Sequence, residues 1–372
     1  MFLQRILPFA FGAAVLAASG SALAQSGAPQ DLSARLAPLL AATDVPGVAV
    51  LTLKDGQIVG QGVAGVKDLG SQVPAEQGDV WHLGSDGKAM TATLIASLVE
   101  QGVLSWDAPL SQMLPQLADQ MQAPYRDVRL EDLLSHRAGL PDITSMEDTL
   151  AYFDDPRPLP QQRAEYAAKI LAMAPVGPVR AAGQYSNSGY VIAGLIAEQA
   201  TGRPFEELMQ AYVFGPLGME TARYGPTVQG QPLGHRARQP LTGTKADNPA
   251  FLAPAGTAHM SVQDWARFAQ DQLKGSRGDQ ALLSAASYQR LHTAQGDTRN
   301  ALGWGAIPAL RGVEGRFLTH VGSNGFWNAL IVLRRDNSSG LLAVMNCGDG
   351  CQSAELTKAI LDTFLIETVS GQ

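Results

Sequence analysis

Apolar residues alternate with polar ones or run together at both ends of the chain, and these patterns predict β-strands. Asp55-Gly56, between the first two runs, is typical of a hairpin turn. The polar run at residues 335–340 predicts the turn between the last two strands. The predicted strands are residues 45–53, 57–66, 317–321, 326–334 and 341–346.

Between these ends, apolar residues recur every three or four positions, which predicts helices. The clearest helix covers residues 85–101, where most positions are apolar and Gly102 is placed to end it. The other predicted helices are residues 32–42, 130–135, 159–173, 189–201, 204–214, 261–273 and 354–366.

Strands at both ends with helices between them predict an α+β fold. We expect one antiparallel sheet that is built from the N- and C-terminal segments and flanked by helices, with a mostly helical region inserted. The α/β part is predicted over about residues 25–84 and 249–372, and the helical part over about residues 85–248.

The first 24 residues predict a signal peptide. Arg5 is the only charge before Ala24, residues 6–18 are apolar, and residues 22–24 read A-L-A, a cleavage site that no cysteine follows. The apolar run is too short for a lasting membrane span. We therefore expect an exported protein, periplasmic or secreted, after cleavage near Ala24.

Composition narrows the classes of partner. The 372 residues are 45% hydrophobic and 16% charged, which is a globular composition with a net charge of −7. No basic block stands out, so nucleic acid and anionic membranes are not expected partners. The six histidines are scattered, so neither a metal site nor a cofactor is predicted. Cys347 and Cys351 could form a short-loop disulfide or remain free thiols.

Ser85 and Lys88 are the first candidate for chemistry. Because they are three residues apart at a predicted helix start, the amine lies on the same face as the hydroxyl and could take its proton. Free N–H groups at the helix start also favour a developing negative charge. The alternative is an N-cap serine followed by a solvated lysine.

Two further stretches sharpen this interpretation. Residues 183–190 read G-Q-Y-S-N-S-G-Y, and residues 319–325 read T-H-V-G-S-N-G. With Ser85-x-x-Lys88, the chain resembles the serine β-lactamase and penicillin-binding family, in particular its class C-like branch. The family carries Ser-x-x-Lys, Tyr-x-Asn and Lys-Thr-Gly or His-x-Gly in this order. The resemblance extends over nearly the whole mature chain, including residues 133–141, 254–256 and 264–268.

The resemblance implies a β-lactamase/transpeptidase-like fold and roles for three residues. Ser85 attacks a carbonyl carbon and becomes acylated, and Lys88 holds or shares the proton. Tyr185 acts as general base, its phenol made more acidic by the adjacent ammonium, and returns the proton to the leaving group. The alternative for Tyr185 is a half-buried tyrosine that caps a helix.

The resemblance also implies which residues hold the substrate. Asn187 donates to the substrate's acyl amide or orients Lys88, unless it is a simple N-cap. His320 contacts the substrate's carboxylate or leaving group, unless it is an ordinary strand histidine. Gly322 lets the strand approach the substrate, and the N–H groups of Ser85 and Ser323 form the oxyanion hole. Because His320 replaces the lysine of most class C β-lactamases and resembles D,D-peptidase and D-aminopeptidase members, the resemblance does not imply efficient β-lactam hydrolysis, while acylation by penicillin stays open.

Other patterns are interpreted as structural. Residues 60–65 match G-x-G-x-x-G, but they lie inside a predicted hairpin strand and not between a strand and a helix. His82 and His136 lie in apolar or turn contexts. Trp304 lines the cleft or packs beside it, and Trp327 is expected in the core.

The function predicted from these residues is that of an exported serine hydrolase working through an acyl-enzyme. Its substrate would be a small molecule or cell-wall peptide: a D-amino-acid peptide, an ester or a β-lactam. An α/β-hydrolase is excluded because no serine stands in Gly-x-Ser-x-Gly. The alternative is a non-catalytic penicillin- or peptidoglycan-binding protein on the same fold.

Overall fold

The structure is a computed structural model that describes residues 28–142, 150–181 and 183–370. The predicted signal peptide, residues 1–24, lies outside these described residues. Within them, no helix is both long enough and apolar enough to cross a membrane.

Strands from the two ends of the chain form one sheet of seven strands in the order β1-β3-β2-β12-β11-β10-β9. Its neighbours are antiparallel except for the parallel pair β1 and β3. Two small sheets, β4-β8-β5 and β6-β7, accompany it. The strands are β1 (Gln30–Asp31), β2 (Gly47–Lys54), β3 (Gln57–Gly65), β4 (Val80–His82), β5 (Arg223–Tyr224), β6 (His235–Arg236), β7 (Gln239–Pro240), β8 (Ala258–Ser261), β9 (Gly305–Leu310), β10 (Val313–Ser323), β11 (Asn328–Arg334) and β12 (Ser339–Met345).

Helices cover both faces of the large sheet and form the region inserted between its two halves. A 3₁₀ turn (Gly84–Asp86) leads into α2, and π-helical turns follow α7 and α11. The helices are α1 (Ser33–Ala41), α2 (Gly87–Glu100), α3 (Leu110–Met113), α4 (Leu130–Leu134), α5 (Leu159–Ala172), α6 (Asn187–Thr201), α7 (Phe205–Met209), α8 (Ala253–Gly256), α9 (Val262–Arg277), α10 (Ala285–Leu291), α11 (Ser353–Ile360) and α12 (Ile366–Val369).

The predicted α+β architecture is confirmed, including the hairpin at Asp55-Gly56, where both residues have positive φ. The G-x-G-x-x-G stretch lies within β3, as predicted, and not at a strand–helix turn. The strands β4, β8 and β9 were not predicted. The first two are three and four residues long, and β9 contains a proline, so none gives a clear period-two pattern.

Both faces of the large sheet are buried, which explains why its central strands read as continuous apolar runs. In β12, Leu342 and Val344 face the core under the inserted helices. Leu341, Ala343 and Met345 face a second core beneath α1, α11 and α12. The division into an α/β part and a helical part at about residues 84 and 248 remains a prediction.

Close backbone packing brings the end of β10 against the start of α2. A Cβ at Gly322 would lie 2.0 Å from the carbonyl oxygen of Leu83, and one at Gly84 would lie 2.5 Å from the backbone nitrogen of Ser323. Gly84 also has φ +52°, a conformation that favours glycine. The strand that ends at Ser323 therefore lies directly beside the turn that carries Ser85.

The structure joins Cys347 and Cys351 in a disulfide, one of the two states left open by the sequence. Cys347 is buried, and its Sγ contacts the carbonyl oxygen of His235. Gly348 and Asp349 inside the loop donate backbone hydrogen bonds to His235 and Gly325. The bridge therefore closes a loop that packs on the β10–β11 turn.

Candidate active site

Two polar side chains, one three residues away in the chain and one 100 residues away, contact the hydroxyl of Ser85. The Oγ of Ser85 lies 2.9 Å from the Nζ of Lys88 and 2.7 Å from the hydroxyl oxygen of Tyr185. Ser85 lies in the 3₁₀ turn before α2 and Lys88 in the first turn of α2, whereas Tyr185 precedes α6. The alcohol, the amine and the phenol therefore lie together in the structure, as predicted.

Lys88 is completely buried, and its Nζ hydrogen-bonds to three uncharged oxygens of the described residues. Its Nζ donates to the Oγ of Ser85, to the Oδ1 of Asn187 at 2.8 Å and to the carbonyl oxygen of Ala255 at 2.5 Å. Burial lowers the pKa of Lys88 to about 7, although Asp142 and Asp86 act in the opposite direction. Near neutral pH the amine can therefore exist in either protonation state.

Tyr185 has a different electrostatic state from the one predicted. Desolvation raises the pKa of its phenol above the ordinary value, and the hydrogen bond with Ser85 offsets only part of that effect. The direction is opposite to the predicted one, in which the Lys88 ammonium makes the phenol more acidic, and the role of Tyr185 as general base remains a prediction. The ring is 52% exposed and stacks on His136, with ring centroids 4.4 Å apart.

His136 supports the segment that carries Tyr185. Its Nδ1 accepts a hydrogen bond from the backbone N–H of Ser186 at 3.1 Å. Burial, with the nearby charge of Lys88, lowers the pKa of His136 to about 3, so the ring stays neutral. The sequence interpretation of His136 as structural holds, and what it supports is the segment that carries Tyr185 and leads into α6.

Asn187 is the first residue of α6 and follows the N-cap position, which Ser186 occupies. Its Oδ1 accepts from Lys88, in agreement with the prediction that it orients the amine. Asp142 holds the other side of Asn187, accepting from its backbone N–H at 2.9 Å and from its Nδ2 at 3.2 Å. The sequence did not single out Asp142, since it lies 45 residues from Asn187 in a loop without periodic pattern.

His320 lies on β10, and its Nδ1 is 2.8 Å from the carbonyl oxygen of Gly303. A carbonyl can only accept, so Nδ1 carries the proton and Nε2 is left as an acceptor. Burial, with the charge of Lys88, lowers the pKa of His320 to about 4. The neutral ring therefore brings no positive charge to the site.

The backbone groups predicted to form an oxyanion hole belong to adjacent segments. Gly84 and Ser323 are in backbone contact, and a Cβ at Gly256 would lie 3.2 Å from the nitrogen of Ser85. Glycine at positions 84, 256 and 322 therefore lets three backbones meet around Ser85. The roles of Ser85 and Ser323 in holding an oxyanion remain predictions.

Two acidic residues beside the site were missed by the sequence interpretation. Asp86, between Ser85 and Lys88, is 1% exposed, and desolvation raises its pKa well above the ordinary carboxyl value. Asp247, with its side chain fully buried, lies 2.7 Å from the Nε2 of His82. A lone acid inside a motif or loop gives no sequence signal of burial.

The remaining candidates belong to the core. Trp304 and Trp327 are 3% and 2% exposed, so Trp304 packs, and Trp327 lies in the core as expected. Across the described ranges, histidine, cysteine and acidic side chains form no group of three that could hold a metal ion.

The chain is similar in sequence to a family of known proteins and to individual relatives. Residues 32–363 match the Beta-lactamase family. Penicillin-binding protein 4 of Amycolatopsis lactamdurans is 28% identical over 338 residues, which cover 84% of this chain and 83% of that protein. Unguisins hydrolase ungD of Aspergillus violaceofuscus is 29% identical over 185 residues, 47% of this chain but only 31% of that protein.

A solved structure shares the fold at lower identity. The D-amino acid amidase from Ochrobactrum anthropi SV3, in complex with L-phenylalanine, superposes with a TM-score of 0.71 at 20% identity, covering 90% of this chain and 98% of that one. The family match spans most of the chain, and the fold agrees with it. The chain therefore belongs to the Beta-lactamase family, whose members include serine hydrolases.

Proposed function

We propose that this protein is an exported hydrolase in which Ser85 forms an acyl-enzyme with an ester or amide carbonyl. The observation that carries the proposal is the pair of contacts to the Oγ of Ser85, one from the Nζ of Lys88 and one from the hydroxyl of Tyr185. A hydroxyl with a proton acceptor on one side and a proton donor on the other has what acyl transfer needs.

Lys88 is the group that takes the serine proton. Its neutral form has two hydrogens and one lone pair, and the oxygens of Asn187 and Ala255 can bind those hydrogens. The lone pair then points at the third neighbour, the Oγ of Ser85. Loss of one proton from Lys88, at a pKa of about 7, therefore converts the amine into a base that is already aimed at the nucleophile.

Tyr185 acts on the leaving group in this scheme. As the Oγ of Ser85 bonds to the carbonyl carbon, its proton passes to Lys88. When the tetrahedral intermediate collapses, the Tyr185 hydroxyl protonates the departing oxygen or nitrogen, and the Lys88 proton restores the phenol. Water then attacks the acyl-enzyme, losing its proton to Lys88, and the Oγ of Ser85 recovers a proton as the acid leaves.

The neutral state of His320 favours substrates without a carboxylate beside the scissile bond. With Nδ1 bound to Gly303, its Nε2 can accept a hydrogen bond but cannot attract an anion. We therefore place uncharged esters and amides ahead of β-lactams and D-alanyl-D-alanine peptides. A panel of p-nitrophenyl acetate, nitrocefin, a D-alanyl-D-alanine peptide and a D-alanine anilide tests this order through kcat/KM.

Covalent labelling tests the nucleophile directly. Intact-mass measurement after exposure to a fluorophosphonate should show one adduct on the wild-type protein and on Ser105→Ala, an exposed serine control, and none on Ser85→Ala. An unlabelled wild-type protein that binds peptidoglycan would instead support the non-catalytic alternative.

Export is tested separately. N-terminal sequencing of the exported protein should find Gln25 as its first residue.

The dependence on pH follows from the Lys88 amine. Since only the neutral amine accepts the proton, kcat/KM for p-nitrophenyl acetate should rise with pH through a single ionisation near 7 and level off above it. A rate that is flat from pH 5 to 9 would exclude Lys88 as the titrating base.

A further inference from the structure

A bridge of three polar side chains, two of them buried, joins the segment that carries Ser85 to the end of β10. It consists of His82 on β4, Asp247 in the loop before α8 and Asn324 after β10. We infer that Asp247 is a positioning residue that, through His82 and Asn324, fixes the relative orientation of the Ser85 and Ser323 backbone N–H groups. This inference rests on the proposed function, since it concerns the oxyanion of that reaction.

The His82 end of the bridge holds the backbone just before the nucleophile. Gly84 donates its backbone N–H to the Nδ1 of His82 at 3.0 Å, so Nδ1 is an acceptor and the ring proton lies on Nε2. That Nε2 lies 2.7 Å from the Oδ1 of Asp247. The side chains of His82 and Asp247 are 1% and 0% exposed, so water does not compete for this contact.

The Asn324 end holds the backbone just after Ser323. The Nδ2 of Asn324 donates to the Oδ1 of Asp247 at 3.0 Å. Its Oδ1 accepts from the backbone N–H groups of Phe326 at 3.1 Å and Trp327 at 3.2 Å. Asn324 therefore ties the turn at the end of β10 to the same carboxylate oxygen that faces His82.

Asp247 can set the relative orientation of the two segments because it contacts both of them. Gly84 and Ser323 already touch, and that contact determines how closely their segments approach. It leaves open how the two segments are rotated relative to one another. A side chain that contacts His82 on one side and accepts a hydrogen bond from Asn324 on the other removes that freedom.

The bridge should matter more in the transition state than in the ground state. Oxyanion donors contribute chiefly once the carbonyl oxygen becomes charged, so their misorientation lowers kcat and leaves KM almost unchanged. A displacement of about 1 Å in such a group can reduce the rate by about 10²-fold.

The central test is Asp247→Asn, with kcat and KM for p-nitrophenyl acetate and the Ki of phenylboronic acid as readouts. Boron accepts an electron pair from the Ser85 Oγ, whose proton passes to Lys88, and the adduct places a boronate oxygen where the oxyanion would lie. We expect kcat to fall by about 10²-fold, KM to change less than about 2-fold, and Ki to rise in parallel with the loss of kcat.

A second variant tests whether His82 acts through the bridge or only caps the backbone N–H of Gly84. In His82→Asn, the amide oxygen can still accept from Gly84, but the side chain no longer reaches Asp247. The bridge predicts a fall of kcat and a rise of Ki of about 10-fold or more, whereas a local cap predicts values close to wild type. This variant also decides the matter if Asp247→Asn does not fold.

His292→Asn is the matched control for loss of a buried histidine. His292 is 2% exposed, and its Nε2 lies 2.9 Å from the Oε1 of Gln272, outside the site. It should lower thermal stability without changing the Ki of the boronic acid. Unchanged kcat and Ki in both Asp247→Asn and His82→Asn would overturn the inference alone. A wild-type protein that neither hydrolyses the ester nor binds the boronate would instead overturn the proposed function.

Discussion

Lys88 and Arg163 are both cations with completely buried side chains, and what surrounds each one differs. Arg163, on α5, lies 2.8 Å from a carboxylate oxygen of Glu198 and 3.0 Å from one of Glu206. Lys88, on α2, hydrogen-bonds to a hydroxyl, an amide oxygen and a backbone carbonyl, and its Nζ lies over the rings of Tyr185 and Tyr190. One buried charge is compensated by direct ion pairs, and the other is not.

The presence or absence of a contacting carboxylate distinguishes a structural cation from a reactive one. Removing an ion from water costs several kcal/mol, and a partner carboxylate in contact recovers much of that cost. Arg163 has two such partners and stays charged. Among the described residues, Lys88 has no carboxylate in contact, so burial lowers its pKa to about 7 and a proton can leave at little cost.

The carboxylate of Asp142 sharpens the contrast because it lies close to Lys88 without contacting it. Its oxygens accept from the backbone N–H of Ser188 at 2.8 Å, from the Ser186 hydroxyl at 2.9 Å and from the Nδ2 of Asn187 at 3.2 Å. Asn187 therefore stands between this carboxylate and the amine. The charge raises the pKa of Lys88 from a distance, but it does not fix the proton there.

The largest effect is expected from Lys88→Met. With the base removed, kcat/KM for ester hydrolysis should fall by about 10⁴-fold or more. The free energy of unfolding, measured with urea, should change far less than the activity does. Between about pH 7 and 10.5 the unfolded lysine binds more protons than the folded one, so stability that depends on Lys88 rises with pH over this range. The difference between wild type and variant should show that rise.

A fall in activity of less than 10-fold in Lys88→Met would contradict the comparison, because it would show that another group removes the serine proton. Lys54→Met, a substitution at the half-buried end of β2, is the matched control and should leave kcat/KM unchanged.

Arg163→Met should show the opposite combination. It leaves the buried carboxylate of Glu198 without its cation, and loss of one partner from a buried pair costs about 3–5 kcal/mol of unfolding free energy. The folded fraction, assayed at low temperature, should retain the kcat/KM of the wild type. The control Arg129→Met removes an exposed pair with Asp107 and should cost less than about 1 kcal/mol.

The sequence predicted what depends on local pattern. The apolar faces of α2 and of the central strands follow from periodicity, and Ser85 and Lys88 are neighbours because they are one turn apart. The approach of Tyr185 to Ser85, 100 residues earlier in the chain, came only from a family resemblance. Periodicity describes one element at a time and does not show which elements meet.

The polar residues that support the site could not be predicted for a related reason. Asp142, Asp247 and His136 lie in loops or turns, where burial depends on segments far along the chain. The lowered pKa of Lys88 and the raised pKa of Tyr185 also follow from burial rather than from motif. The sequence therefore predicted which residues meet around the Ser85 hydroxyl but not the direction in which burial shifts the pKa of the phenol.

Asn187→Asp would make the surroundings of Lys88 resemble those of Arg163. It places a carboxylate where the Oδ1 of Asn187 lies 2.8 Å from the Nζ, and a contacting opposite charge should raise the pKa of Lys88 by about 1–3 units. The rising limb of kcat/KM against pH should move upward from about 7 by that amount. Asn187→Ala, which adds no charge, should lower kcat without an upward shift. An unmoved limb in Asn187→Asp would show that Lys88 is not the group titrating in the reaction.

Glu206→Gln should have the smallest effect, because it removes one charge of the Arg163 network and keeps an oxygen that can accept. The Glu206 side chain is 26% exposed, and Arg163 keeps its buried pair with Glu198. The charge of Glu206 also raises the pKa of Glu198, so its removal relieves repulsion between the two carboxylates and offsets part of the lost attraction. We expect a loss of about 1 kcal/mol of unfolding free energy, measured with urea, and no change in kcat/KM. A loss as large as that of Arg163→Met would mean that both carboxylates are needed to hold the cation, and that one contacting carboxylate is not enough to make a buried cation structural.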